Sequence, residues 1–166
     1  MQNLFLICPE CYPEQAIRNE FGSEGLFLSA LGSVFHIDNA KYIAGFMELI
    51  DKEQVSCIYI VNDTSCSFLQ NAIDKKEIYS TETSRDLNEL LILNKGRVIN
   101  TTLKLAKVSI VNQARELLKI GKIRSKIKEG DLIIKGLIYF RNTKTFEAYH
   151  IRNVNENPRL SNFSDN

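Results

Sequence analysis

The chain has 166 residues, enough for one domain with a substantial core, and its 21 basic and 20 acidic residues nearly cancel. No global field therefore recruits nucleic acid or an anionic membrane surface, and neither is expected as a partner. No apolar run approaches the ~20 residues that span a bilayer. The start also lacks the basic and long apolar segments of a signal peptide, so the expected location is cytoplasmic and the four cysteines are expected as thiols or ligands.

Taken in order, Leu4 to Cys8 is a short apolar run suited to a parallel strand buried on both faces. It ends at Cys8-Pro9-Glu10-Cys11-Tyr12-Pro13, where two prolines forbid regular pairing. Pro13 opens a predicted helix through Glu20, closed by Gly22. Leu26-Phe27-Leu28 reads as a second strand, followed by a loop around Gly32. Asn39 caps a helix in which Tyr42, Ile43, Phe46, Met47, Leu49 and Ile50 follow helical spacing.

Val55 to Val61 is a β-rich apolar run that stops at Asn62-Asp63-Thr64-Ser65 and becomes a helix from Ser65 to Ile73, with Cys66 in its first turn. Strand, polar corner and helix start is how α/β folds build sites, because the carboxyl ends of parallel strands open onto a crevice. A cysteine there serves either as a reactive thiol or ligand or as a buried residue in an ordinary helix cap, and Asp63 with Thr64 has the same double reading.

Residues 74–84 are polar and read as a surface insertion. Arg85 to Asn94 is predicted helical, as is Thr102 to about Ile120, with Leu103, Ala106, Ile110, Val111, Ala114, Leu117 and Leu118 on one face. A basic segment follows from Lys122 to Lys128; without interleaved aromatics it reads as a solvated surface. Asp131 to Phe140 is a strand, Arg141 to Lys144 a turn, and Thr145 to Ile151 the returning hairpin partner. The predicted organisation is one α/β domain over residues 1–152, with a mainly parallel sheet flanked by helices, a C-terminal hairpin and a polar tail over 153–166.

These residues and their order resemble the β-class carbonic anhydrases, especially the short bacterial type. That family carries Cys-x-Asp-x-Arg after the first strand, Arg-Asn-Ala-Gly after the second, His-x-x-Cys after the third, and a late strand with a central glycine. Here Cys8-Pro9-Glu10-Cys11-Tyr12, Ser29-Ala30-Leu31-Gly32, Asp63-Thr64-Ser65-Cys66 and Leu132 to Phe140 take those places, and Ile110-Val111-Asn112-Gln113 matches the long helix before the last strand. The resemblance covers roughly residues 4–151.

In the family two cysteines and a histidine hold zinc, which lowers the pKa of its bound water for CO2 hydration. The resemblance implies Cys8, Asp63 and Cys66 as the ligands of any retained zinc; Cys11, in Cys-x-x-Cys spacing with Cys8, reads either as an extra thiolate beside them or as an exposed residue. Glu10 takes the place of the Asp in the family's Asp–Arg pair, and Tyr12, Ser29, Gly32 and Thr64 line the implied pocket. The changes share a direction. Asp63 adds negative charge where a neutral histidine stood, Tyr12 cannot hold a carboxylate by a charged fork, and the second motif keeps only Gly32.

The leading expectation is a carbonic-anhydrase-like protein without conventional CO2 hydratase activity, in a binding or regulatory role. A divergent zinc enzyme interconverting CO2 and bicarbonate is the alternative. A redox or structural metal module on Cys8, Cys11 and Cys66 is the third reading. Expected partners are a second copy of the chain and a small anion or CO2/bicarbonate. The family's N-terminal arm has no counterpart before the first strand, so the dimer is expected to be weaker or built differently. Cys57 is expected in the core, and His36 and His150 in surface or packing roles.

Overall fold

The computed structural model describes residues 2–36, 39–75, 81–94, 96 and 98–151. The expected tail, and residues 76–80 of the expected insertion, lie outside these. Strands β1 (Gln2–Ile7), β2 (Leu26–Ser29), β3 (Val55–Asp63), β4 (Ile133–Phe140) and β5 (Thr145–Tyr149) form one sheet in the order β2-β1-β3-β4-β5. The first four are parallel, and β5 returns antiparallel to β4 as the predicted hairpin. The helices are α1 (Glu14–Phe21), α2 (Ala40–Lys52), α3 (Ser67–Ile73), α4 (Glu82–Leu93), α5 (Thr102–Lys119) and α6 (Gly121–Glu129).

Strand alternation divides the core into two layers. Leu4, Leu6, Ile58, Ile60 and Ile138 point to the face covered by α2 to α6. Phe5, Ile7, Cys57, Tyr59, Val61, Leu137 and Tyr139 point to the other face, which α1 covers through Ile17, Ala16 and Phe21. That second layer is aromatic: Phe5 stacks on Tyr59 at 4.9 Å and on Phe27 at 5.6 Å, and Tyr139 stacks on Phe146 at 4.8 Å. Cys57 is buried there, as expected, on the opposite face from the other three cysteines.

Helix ends follow local chemistry. Asn39 Oδ1 accepts hydrogen bonds from the Lys41 and Tyr42 N–H groups, and Thr101 Oγ1 accepts one from Lys104 N–H. Other element ends shift by one or two residues, α3 beginning at Ser67 rather than Ser65 and β4 at Ile133 rather than Asp131, but two regions differ more from the sequence expectation. α4 begins at Glu82 rather than Arg85, because Thr81 Oγ1 accepts the Ser84 N–H and Glu82 complements the helix dipole. The basic segment is the helix α6, because Ile123 and Ile127, one turn apart, pack against the core while Lys122 and Lys128 face water and Lys126 pairs with Asp51. Gly136, central in β4, admits α5: a Cβ there would lie 2.7 Å from Ile110 Cγ2 and 3.0 Å from the Tyr149 carbonyl.

The chain leaves β1 toward β2 on one side and later returns to lay β3 on β1's other side. Strand order thus reverses between β1 and β3, and the carboxyl ends of these neighbours frame the crevice.

Candidate metal centre

Backbone geometry after β1 brings two cysteines together. Cys8 continues the strand in an extended conformation, and Pro9-Glu10-Cys11 then forms a single 3-10 turn in which the Cys11 N–H donates to the Cys8 carbonyl at 3.2 Å. Tyr12 closes the turn in the left-handed region with φ 47°. After β3, the Cys66 N–H donates to the Asp63 carbonyl at 3.1 Å, folding the corner so that Cys66 caps α3. The two corners meet. The Sγ atoms of Cys8, Cys11 and Cys66 all lie within 4.8 Å of one another, each residue is buried, and none is in a disulfide.

A third segment supports the sulfur cluster. The Gly32 N–H donates to Cys8 Sγ at 3.2 Å. Gly32 has φ +61°, and a Cβ there would lie 2.9 Å from Thr83 Cγ2, so glycine serves both the turn and the close approach. Ser33 Oγ donates to the Val61 carbonyl at 2.8 Å, fixing this segment to β3.

The three thiols do not ionise alike. Hydrogen bonds from Cys11 and Cys66, with backbone N–H groups of Glu10 and Gly32, push Cys8 far below the ordinary thiol range despite its burial. Hydrogen bonding to Cys66 and Cys8, reinforced by burial, pushes Cys11 up. For Cys66 the Cys11 hydrogen bond acts downward, but the Cys8 hydrogen bond, burial and the Cys8 charge outweigh it and raise the thiol. The cluster thus holds its first negative charge easily and resists the next, as closely spaced anions must. A bound cation removes that resistance.

The donor set fits a thiophilic metal. Tetrahedral zinc with Zn–S near 2.3 Å needs sulfurs roughly 3.8 Å apart, within the span seen here. Zinc, the metal the family resemblance implies, would take Cys8, Cys11 and Cys66 as ligands.

Asp63 stands beside this set in a different arrangement. It is not among the donors that lie within 4.8 Å of one another. Its Oδ1 accepts the Ser65 N–H at 2.7 Å, and its Oδ2 accepts from Arg141 Nε at 2.8 Å and Nη2 at 2.7 Å. The Asp63 side chain is 1% exposed and that of Arg141 42%. The guanidinium pKa is raised, by hydrogen bonding to Asp63 first, with a smaller contribution from the neighbouring Cys11.

The other expected residues are placed as follows. Both Glu10 carboxylate oxygens accept from Ser67 Oγ, at 2.6 and 2.7 Å, tying the first corner to the start of α3. Tyr12 is 80% exposed, so its ring leaves the crevice. Ser29 is exposed at the end of β2. The Thr64 N–H donates to the Tyr139 carbonyl at 3.1 Å, joining the corner to β4. His36 lies 3.3 Å from Asp86 and 3.8 Å from Glu82, not in the sulfur cluster, and His150 is exposed after β5.

Arg141 is the residue that the sequence reading left in a turn. Asp63 pairs with Tyr139 across β3 and β4, so Arg141 follows two residues beyond that partner. The signal exists only once the register is known.

No family model and no curated protein matches the chain. Solved structures do. The β-carbonic anhydrase CafD (wild type) of the filamentous fungus Aspergillus fumigatus aligns with TM-score 0.74 and 17% identity over 90% of each chain. This protein has the β-carbonic anhydrase fold. A Coccomyxa β-carbonic anhydrase in complex with acetazolamide aligns with TM-score 0.72 and 13% identity, over 88% of this chain and 70% of that one. A tetrameric β-carbonic anhydrase of the ascomycete Sordaria macrospora gives TM-score 0.71 and 13% identity, over 88% and 79%. Alignment over nearly the whole described chain at such low identity means that the fold persists while most side chains differ.

Proposed function

We propose that this protein uses the β-carbonic anhydrase fold to hold one thiophilic metal ion through Cys8, Cys11 and Cys66, in a binding or regulatory role without conventional CO2 hydration. The observation that carries the reading is the meeting of three buried, unoxidised thiols at the crevice, with Asp63 engaged by Arg141 beside them. A bound zinc would supply Lewis acidity, but three thiolates around a divalent ion leave a surplus negative charge that weakens it. The surrounding groups work in the same direction. Glu10 is held by Ser67, Tyr12 projects into solvent, and Ala30 and Leu31 stand where the family's second motif has polar residues. No arginine from the first corner holds a carboxylate over the sulfurs.

Protein purified without added zinc, examined by elemental analysis and a CO2 hydration assay, tests this. About one equivalent of a thiophilic metal is expected, lost in Cys66→Ser, with hydration at the uncatalysed rate. Absence of metal from both freshly purified and zinc-incubated protein would sink the reading. The alternative, a divergent carbonic anhydrase acting on CO2 or bicarbonate, draws support from the donor count: three protein ligands leave one coordination position open, as catalytic zinc sites do. Its signature is hydration abolished by Cys66→Ser. A homo-oligomer is proposed for the assembly, in keeping with the tetrameric Sordaria proteins, and a cytoplasmic setting for the free thiols. Among the described residues no helix is long and apolar enough to cross a membrane.

A further inference from the structure

We infer that Asp63 and Arg141 form a charge-neutralising pair beside the three-thiol centre, in which Asp63 positions Arg141 and is not itself a metal donor. The inference rests on the metal-binding reading above and concerns how the surrounding protein sets the affinity of that site.

The geometry has three parts. Asp63 is buried at the end of β3, and its carbonyl accepts the N–H of Cys66, so its carboxylate is fixed to the same corner as one thiol. Its two oxygens divide their work: Oδ1 holds the Ser65 N–H, and Oδ2 takes two donors of Arg141. Arg141 is the first residue after β4, the strand paired with β3, and it enters from the side away from β1. The guanidinium therefore closes the corner opposite Cys8, with Cys11 within its field.

Charge decides what this arrangement does. Three thiolates and a divalent ion carry one surplus negative charge, and a buried, unpaired carboxylate alongside would add another. Two like charges in a dry corner oppose each other strongly. The Arg141 fork cancels the carboxylate where it stands, so the thiolates can gather a cation without competition from Asp63. Groups in this outer position commonly change metal affinity 10- to 100-fold. The pair draws its two members from the third and fourth strands, whereas the family's Asp–Arg motif follows the first.

A double-mutant cycle on the full chain tests the inference, with zinc affinity from competition against a chromophoric chelator and the visible spectrum of the cobalt(II)-loaded protein. Arg141→Gln exposes the thiolates to an uncompensated Asp63 and is expected to weaken zinc about 10- to 100-fold. Asp63→Asn keeps an oxygen for the Ser65 N–H and frees the guanidinium; it is expected to tighten zinc roughly fivefold, the effect of a unit charge a few ångströms away across a wet boundary. Asp63→Asn/Arg141→Gln leaves no unpaired charge, so the fold is retained and affinity is expected within about threefold of the starting protein. Arg141→Lys, which keeps the charge but not the fork, is expected to recover part of the Arg141→Gln loss. All variants should share one cobalt(II) thiolate charge-transfer spectrum.

Weaker zinc binding in Asp63→Asn, or a changed cobalt(II) spectrum, would make Asp63 a ligand and overturn the inference. So would unchanged affinity in Arg141→Gln, or a double variant as weak as Arg141→Gln. Failure of the unsubstituted protein to bind zinc or cobalt(II) would overturn the metal-binding reading itself, and is distinguishable because it appears before any substitution is made.

Discussion

Two of the places where acidic and basic side chains meet, Asp63 with Arg141 and Asp86 and Glu82 with His36, differ in what surrounds them. Asp63 and Arg141 meet through two short contacts to a carboxylate whose side chain is 1% exposed. His36, Asp86 and Glu82 meet at 3.3 and 3.8 Å, with the His36 and Glu82 side chains open to water. The first pair is fixed by a planar fork and a backbone N–H. In the second, Asp86 Oδ2 is buried yet accepts no hydrogen bond, and burial foremost raises its pKa, with the charge of His36 acting against that. The difference teaches that the charge types in a cluster do not set its worth; burial with fulfilled geometry does.

The largest expected break in this comparison is Arg141→Ala. Leaving the Asp63 carboxylate buried and unpaired is expected to cost about 3 kcal/mol, the lower end of the range for a broken buried pair because water reaches Arg141. Urea denaturation should read this as a lower midpoint at unchanged slope. Next comes Gly32→Ala, which strains a positive φ, crowds Thr83 and displaces the donor to Cys8 Sγ. It is expected to cost about 1–3 kcal/mol and to weaken metal binding as well, unlike Gly136→Ala, whose similar overpacking lies away from the sulfurs.

A smaller effect is expected from pH at the second cluster. The Asp86 carboxyl has a folded pKa above its unfolded value, so its contribution favours folding below the ordinary carboxylate range and is lost as pH rises through the raised folded value. Asp86→Asn should therefore flatten the stability profile across weakly acidic pH, as followed by thermal melts at successive pH values. The smallest effect is expected from salt. Raising sodium chloride from about 0.1 to 1 M shortens the screening length from roughly 10 to 3 Å. The exposed Lys126–Asp51 pair, worth at most about 1 kcal/mol, should fade, while the difference between Arg141→Ala and the unsubstituted protein should hardly move.

Most of the architecture was legible before the structure. Apolar runs marked the four parallel strands, and Asn39 marked the start of α2 as its cap, because periodicity and caps are local properties. The basic helix α6 escaped this reading because two isoleucines carry its buried face among three lysines and an arginine. Composition masked the pattern.

The candidate site divides along the same line. The sequence by itself determined the strand order's likeness to the β-carbonic anhydrases and put Cys8, Cys11 and Cys66 near the strand ends that open onto the crevice. Only the tertiary structure decided that the 3-10 turn carries Cys11 inward to join the other two thiols, and that Tyr12 beside it faces water. Only the register of β3 on β4 delivered Arg141 to Asp63 across a sequence separation of 78 residues. Spacing along a chain reports which residues share a local element. Which side chains share a corner depends on strand pairing and on the sign of one φ angle, and those are settled by the packing of the whole domain.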